Sequence, residues 1–167
     1  MKLIQELKKL LRDGVVGVKQ SFEDEGVLFD DVVKMKRMCD SIGAYVSVKI
    51  GGCEAITDIN NCVSNSIDAI IAPMVETEYA FRKFISAVKN IKNTDFHFLC
   101  ETVTAYDNID AILNTFEANH LSGVIVGRSD FTKSHGLDKS HVDSEIICKK
   151  VWEVFEKSKK MGLVTTM

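Results

Sequence analysis

Short apolar runs rich in β-branched residues recur along the chain, separated by segments with helical periodicity. The runs are Val15–Val18, Tyr45–Ile50, Ala69–Ala72, Phe96–Cys100, Gly123–Val126 and a last one over residues 162–166. Their starts lie 24 to 39 residues apart, about the length of one strand–helix repeat. Between them, Val32, Val33, Met35, Met38 and Cys39 form an apolar stripe, as do Ala80, Phe81, Phe84, Ile85 and Val88. A third stripe holds Ile109, Ile112, Leu113 and Phe116, and a fourth Ile146, Ile147, Val151, Val154 and Phe155. Each predicts a helix with one buried face. Gly43 and Gly162 stand where helices end before a strand. Asp107 and Asn108 stand where a first helical turn favours negative or capping groups. The near-continuous apolarity of the runs predicts a parallel sheet buried on both faces.

Six repeats fit either a (β/α) barrel or an open doubly wound sheet. The turn after the first run, Gln20 to Gly26, is crowded with acid and lacks GxGxxG, which argues against a phosphate cradled on a helix N-terminus. Almost every run delivers a polar residue at its carboxyl end: Glu23, Asp24 and Glu25, then Lys49, Glu76, Glu101 and Asp130. A barrel gathers such residues into one mouth, whereas an open sheet concentrates its site at one switch point. The expected fold class is therefore α/β, a (β/α) TIM-type barrel over residues 1–167 as a single domain. It holds about six of the eight units of a full barrel of about 250 residues. The alternative is an open doubly wound parallel sheet.

Composition narrows the partners. A net charge of −3 gives no reason to expect nucleic acid or an anionic membrane, and no apolar run approaches the ~20 residues of a membrane span. The first eleven residues mix charges into apolar positions and read as an amphipathic helix, not as a signal peptide. Five cysteines, odd in number and without a CxxC pair, point to reduced thiols in a cytoplasmic protein.

Glu101 and Asp130 carry the candidate chemistry. They stand 29 residues apart, each just after an apolar run, so neighbouring parallel strands bring both carboxylates to one end of the sheet. Two hard oxygen donors there are what a divalent cation needs from protein when water and substrate fill its other positions. Taken alone, each reads more readily as the N-cap of the following helix. Cys100, by alternation, points to the core. Glu76 can cap the helix after Thr77. Gly51 and Gly52 give close backbone approach to a ligand or a plain βα turn. His120, His135 and His141 read as loop or surface residues, and Trp152 and Phe155 as core or subunit contact.

Three linked motifs then carry a resemblance. Ile71-Ala-Pro-Met-Val-Glu-Thr77, Glu101-Thr-Val-Thr-Ala-Tyr-Asp-Asn-Ile-Asp-Ala-Ile-Leu113 and Gly123-Val-Ile-Val-Gly-Arg-Ser-Asp-Phe-Thr-Lys-Ser-His-Gly136 are similar to those of the HpcH/HpaI aldolase and citrate lyase β-chain family. The resemblance implies a (β/α)8 barrel that uses Mg2+ or Mn2+, with Glu101 and Asp130 as the metal-binding carboxylates. It implies cleavage or formation of a carbon–carbon bond next to a carbonyl, through a metal-held enolate, in 2-oxo acids or in acyl-CoA thioesters. Asp24 stands where aldolase members carry a histidine, and Lys49 where members carry the arginine that stabilises the enolate oxygen. Lysine keeps the charge without the planar fork. Arg128 replaces a family proline and either binds a substrate carboxylate or phosphate or pairs with Glu76 or Glu101. The expected function is a divalent-metal carbon–carbon lyase of the aldolase type. The alternatives are an acyl-CoA lyase or an inactive barrel that self-associates as a homo-oligomer. Against the family pattern, Met1–Leu11 is a first helix without its strand, and Met167 falls where the seventh strand finishes.

Overall fold

A computed structural model describes residues 2–167, apart from the side chain of Phe116. The order of elements is α1 (Lys2–Arg12), β1 (Gly17–Ser21), α2 (Phe29–Asp40), β2 (Tyr45–Lys49), α3 (Ile56–Ser64), β3 (Ala69–Ala72) and α4 (Glu78–Val88). It continues with β4 (Asp95–Cys100), α5 (Val103–Asp107), α6 (Ile109–Leu113), β5 (Gly123–Val126), α7 (Arg128–Ser134), α8 (Glu145–Lys160) and β6 (Val164–Thr166). Single 3-10 turns cover Phe116–His120 and Lys139–His141. All six strands are parallel and lie in the order β1-β2-β3-β4-β5-β6. Sequence order without reversal is the winding of a barrel, while β1 and β6 remain at open edges. The sheet is a curled half-barrel.

Alternation along the strands decides which side each residue serves. Val46, Val48, Ile70, Phe96, Phe98 and Val124 are buried under the helices, with Val32, Phe81, Phe84, Ile112 and Val154 in the same core. Phe81 meets Phe98 edge-on at 5.9 Å between ring centroids, and Phe84 meets Phe96 at 6.2 Å. Each such side chain contributes roughly 1.5–3 kcal/mol by leaving water. The opposite side of the sheet is concave and carries Lys19, Ser47, Ile71, His97, Leu99, Ile125 and Thr166. The expected burial on both faces therefore holds throughout only for β3, whose four residues are all buried. Towards the edges the concave side turns polar, because no layer covers it there.

Several local expectations need adjusting. The first strand starts at Gly17, and Val15 and Val16 lie outside it, 40% and 78% exposed. Asp107 does not begin a helix, while Asn108 takes the position just before α6 without capping it. Asp107 ends α5, and the Asn108 amide donates to the Glu76 carbonyl at 2.9 Å instead of capping α6. Gly43 and Gly162 do follow helix ends, with φ of +70° and +76°, where a Cβ would be strained. Phe116 of the third stripe has a side chain outside the described residues, and Ile146 of the fourth is 62% exposed. Lys36 is buried within the first stripe, with Nζ 2.6 Å from Asp40 and 3.0 Å from Asp68. Asp68 also accepts from the Val46 N–H at 2.8 Å, so this pair ties α2 to the start of the sheet.

Candidate active site

The carboxyl ends of the strands meet over a cavity of about 540 Å³ lined by Asp24, Lys49, Glu101, Arg128 and Asp130, among others. Glu101 follows β4 directly and is only 4% exposed. Its Oε1 accepts from the Met74 N–H at 3.0 Å. Met74 adopts a positive φ of 54° to present that group. Glu101 Oε2 lies against Gly127, where a Cβ would come within 3.0 Å of the Glu101 Cβ and 3.1 Å of Oε2. Burial pushes the Glu101 carboxyl above the usual range, against the Met74 N–H and the Lys49 ammonium. Asp130 and Asp24 add to the rise. Asp130 stands in the first turn of α7, half-exposed, with Lys133 Nζ 3.3 Å away.

Lys49 ends β2, buried, and forms an ion pair with the half-exposed Asp24. Arg128 opens α7 and pairs with Asp143, not with Glu76 or Glu101 as the sequence allowed. Glu76 instead accepts from Thr102 Oγ1 at 2.7 Å. The cap of α4 is Thr77, whose hydroxyl accepts from the Ala80 N–H at 3.1 Å. Gly51 borders a smaller cavity of about 160 Å³ shared with Glu23, Asp24, Lys49, Glu101 and Asp130. Its N–H is already taken by Asp58 at 2.8 Å. A Cβ there would meet Glu23 at 3.1 Å and Asp58 at 3.2 Å, so the glycine serves the packing of the loop. Gly52 has open space around it and lines neither cavity.

Cys100 is fully buried and its thiol is pushed up to about 12 by that burial, as core placement required. His120 and His141 are exposed. His135 departs from its surface reading: its ring is half-buried, 4.6 Å from Phe131, with Nδ1 2.8 Å from the Phe131 carbonyl. Phe155 is buried while Trp152 is 60% exposed. Sequence reasoning missed Lys19, Ser47, Met74, Gly127 and Thr102 at this end of the molecule. Only the glycine spacing before Asp130 signalled one of them.

The donor set can be tested against a divalent cation. Among the described residues, no group of three or more His, Cys, Asp or Glu side chains is placed to hold a metal ion. Asp24 is taken up by Lys49, which leaves Asp130 and the Glu101 carboxyl, raised in part by the charge of Asp130. Glu101 is buried against Gly127, and Asp130 is half-exposed. A hard cation that keeps most of its water suits that arrangement, as Mg2+ does with one or two carboxylates. The residues fit such an ion, with the remaining positions left to water and substrate.

The model of the HpcH/HpaI aldolase/citrate lyase family matches residues 31–166. The chain belongs to that family. Its members' fold recurs in solved structures that are distant in sequence. A citrate synthase, SbnG, is 14% identical with a TM-score of 0.82, over 98% of this chain and 73% of that one. An HpcH/HpaI aldolase from Desulfitobacterium hafniense is 15% identical with a TM-score of 0.80, over 98% and 71%. A citrate lyase from Burkholderia xenovorans is 13% identical with a TM-score of 0.71, over 98% and 59%. Comparison with curated proteins finds no match. Membership of the HpcH/HpaI family makes this an enzyme of the aldolase/lyase type by resemblance, acting on small molecules.

Proposed function

We propose that the chain is a divalent-metal-dependent carbon–carbon lyase of the aldolase type, acting on a 2-oxo acid, with Glu101 and Asp130 holding Mg2+ or Mn2+. The observation that carries this reading is that both carboxylates face one cavity beside the buried Lys49. When bound, the ion would supply Lewis-acid polarisation of the substrate carbonyl. Lys49 contributes a fixed positive charge in a poorly solvated position, aimed at negative charge that develops during bond cleavage. Asp24 holds that ammonium and is the proton-carrying candidate at the mouth. Arg128 closes the rim through Asp143, and Gly127 leaves room for the Glu101 carboxylate, while Gly51 and Gly52 form the turn beside Lys49. Residues 1–167 act as one folding unit. Five free thiols support a reducing, cytoplasmic setting.

The test is calorimetric titration with Mn2+ of wild type, Glu101→Gln and Asp130→Ala. Both variants are expected to bind the ion roughly tenfold or more weakly, since even outer-shell changes cost that much. Pyruvate release from a 4-hydroxy-2-oxo acid should depend on the ion and vanish with chelator. Equal metal affinity in all three proteins would sink the proposal. Cleavage of a citryl-type thioester but no 2-oxo acid would favour the acyl-CoA lyase reading instead.

A further inference from the structure

Two backbone positions beside Glu101 carry features that the fold itself does not require. Met74 follows Pro73 in the loop after β3 and adopts a φ of +54°, a region that strains most side chains and that glycine ordinarily fills. Its side chain gives nothing back to the core, being 54% exposed. What the conformation provides is an N–H aimed at Glu101 Oε1, 3.0 Å away. Gly127 is the converse case. Its φ of −78° and ψ of 78° lie near the inverse γ-turn minimum, which is open to any residue. The backbone there does not ask for glycine; the neighbours do. A Cβ would stand 3.0 Å from the Glu101 Cβ, 3.1 Å from Oε2 and 3.4 Å from Leu99 Cδ2. The Glu101 Cβ is fixed to the backbone at the end of β4, so it cannot give way as the tip of a flexible chain would. The carboxylate can turn aside only by leaving the Met74 N–H. At 4% exposure it has little water to replace that bond, and an unmade bond on a buried charge is costly.

Resting on the metal reading above, we propose that Met74 and Gly127 are a pair of positioning residues that clamp the Glu101 carboxylate between them. Met74 fixes Oε1 with a backbone donor, and Gly127 leaves the space in which Oε2 stands with that bond intact. Strained conformations of this kind persist where the surroundings over-determine them, and they cluster at functional sites. The clamp sets one orientation of the carboxylate before any ion arrives, so binding does not have to order the side chain.

The first measurement needs no metal. Hydrogen exchange followed by NMR on the full chain should show the residue-74 amide protected in wild type and in Met74→Gly. The same amide should exchange freely in Gly127→Ala and Glu101→Ala. The second measurement is calorimetric titration with Mn2+. Met74→Gly and Met74→Val both remove the exposed side chain, but a β-branched residue resists the positive φ that glycine accepts. Met74→Gly is therefore expected to bind the ion as tightly as wild type. Met74→Val and Gly127→Ala should bind it roughly tenfold more weakly, the scale of losing a partner that orients a metal ligand. Circular dichroism melts check that each variant is folded, and either half of the clamp can be judged if the variant of the other half is not. A residue-74 amide that exchanges freely in wild type overturns the proposal, as does protection that survives Gly127→Ala. So does a Met74→Val protein that binds Mn2+ as tightly as Met74→Gly. If wild type binds no Mn2+ while the exchange pattern holds, the metal reading falls and the clamp on Glu101 stands.

Discussion

His97 shows how one side chain on the concave face couples packing to pH. The register sets it beside Gly123 on β5 and Ile71 on β3. A Cβ on residue 123 would meet the imidazole Nδ1 at 2.8 Å and the Val164 carbonyl oxygen at 2.5 Å. Glycine is required there by its neighbours, not by a turn. Burial lowers the His97 pKa, while the Asp95 carboxylate and the Gly123 backbone pull the other way. The unfolded chain therefore takes up a proton at a pH where the folded chain does not. Stability is complete above about 6.5, the ordinary imidazole value, and falls as pH drops from there towards the lower folded value. Urea unfolding followed from pH 8 to pH 5 should show that loss, and His97→Gln should flatten it. A slope unchanged in the variant would assign the effect elsewhere. The sequence placed His97 inside a strand and Cys100 in the core, because alternation is a local property. It could not place Met74 or Gly127 against Glu101, because those contacts depend on how three strands curl together.

At the scale of elements, the segment after β4 explains why threonine follows Glu101. Thr102 is the N-cap of α5: its Oγ1 accepts from the Ala105 N–H at 3.1 Å and donates to Glu76 at 2.7 Å. One hydroxyl thus caps a helix and fastens the loop after β3 to the loop after β4, directly beside the Glu101 carboxylate. Ser134 on α7 accepts from the Val103 N–H at 2.8 Å, so three loops of the mouth are tied by side chains of adjacent elements. Thr102→Ala should lower stability by about 1 kcal/mol, the usual worth of an N-cap, and Thr102→Ser should restore most of it. Urea midpoints at constant slope would show both. An alanine variant as stable as wild type would mean that water replaces the cap. The strands and the long helices were legible from periodicity alone. The break between α5 and α6 was not, because Asn108 spends its side chain on the Glu76 carbonyl, a partner 32 residues away.

For the whole molecule, the unsolved element is the pair of sheet edges. β1 and β6 each have one strand neighbour, and apolar residues gather there: Val16 is 78% exposed, Val164 62% and Met167 66%. α1 adds to this, since none of its residues is buried and Leu3 and Leu10 are 49% and 45% exposed. Parallel edges of this kind are normally blunted by charge, proline or a covering element; β1 carries Lys19, but Val16 just before it and Val164 on β6 stay exposed. We therefore expect self-association that covers these edges, with an interface of at least ~1,200 Å² if it is to be stable. Light scattering after size exclusion should give a mass at least twice 18.6 kDa. Val16→Lys combined with Val164→Lys should move the population towards the single-chain mass, because lysine at a sheet edge or just before it opposes pairing with another chain. Neither valine lies in the buried core, so the substitutions leave the helix-covered side of the sheet intact, and a circular dichroism melt checks that the fold persists. A wild-type mass of one chain at high concentration would count against the expectation. So would an oligomer that ignores both lysines, because a contact made elsewhere would leave the exposed valines unexplained.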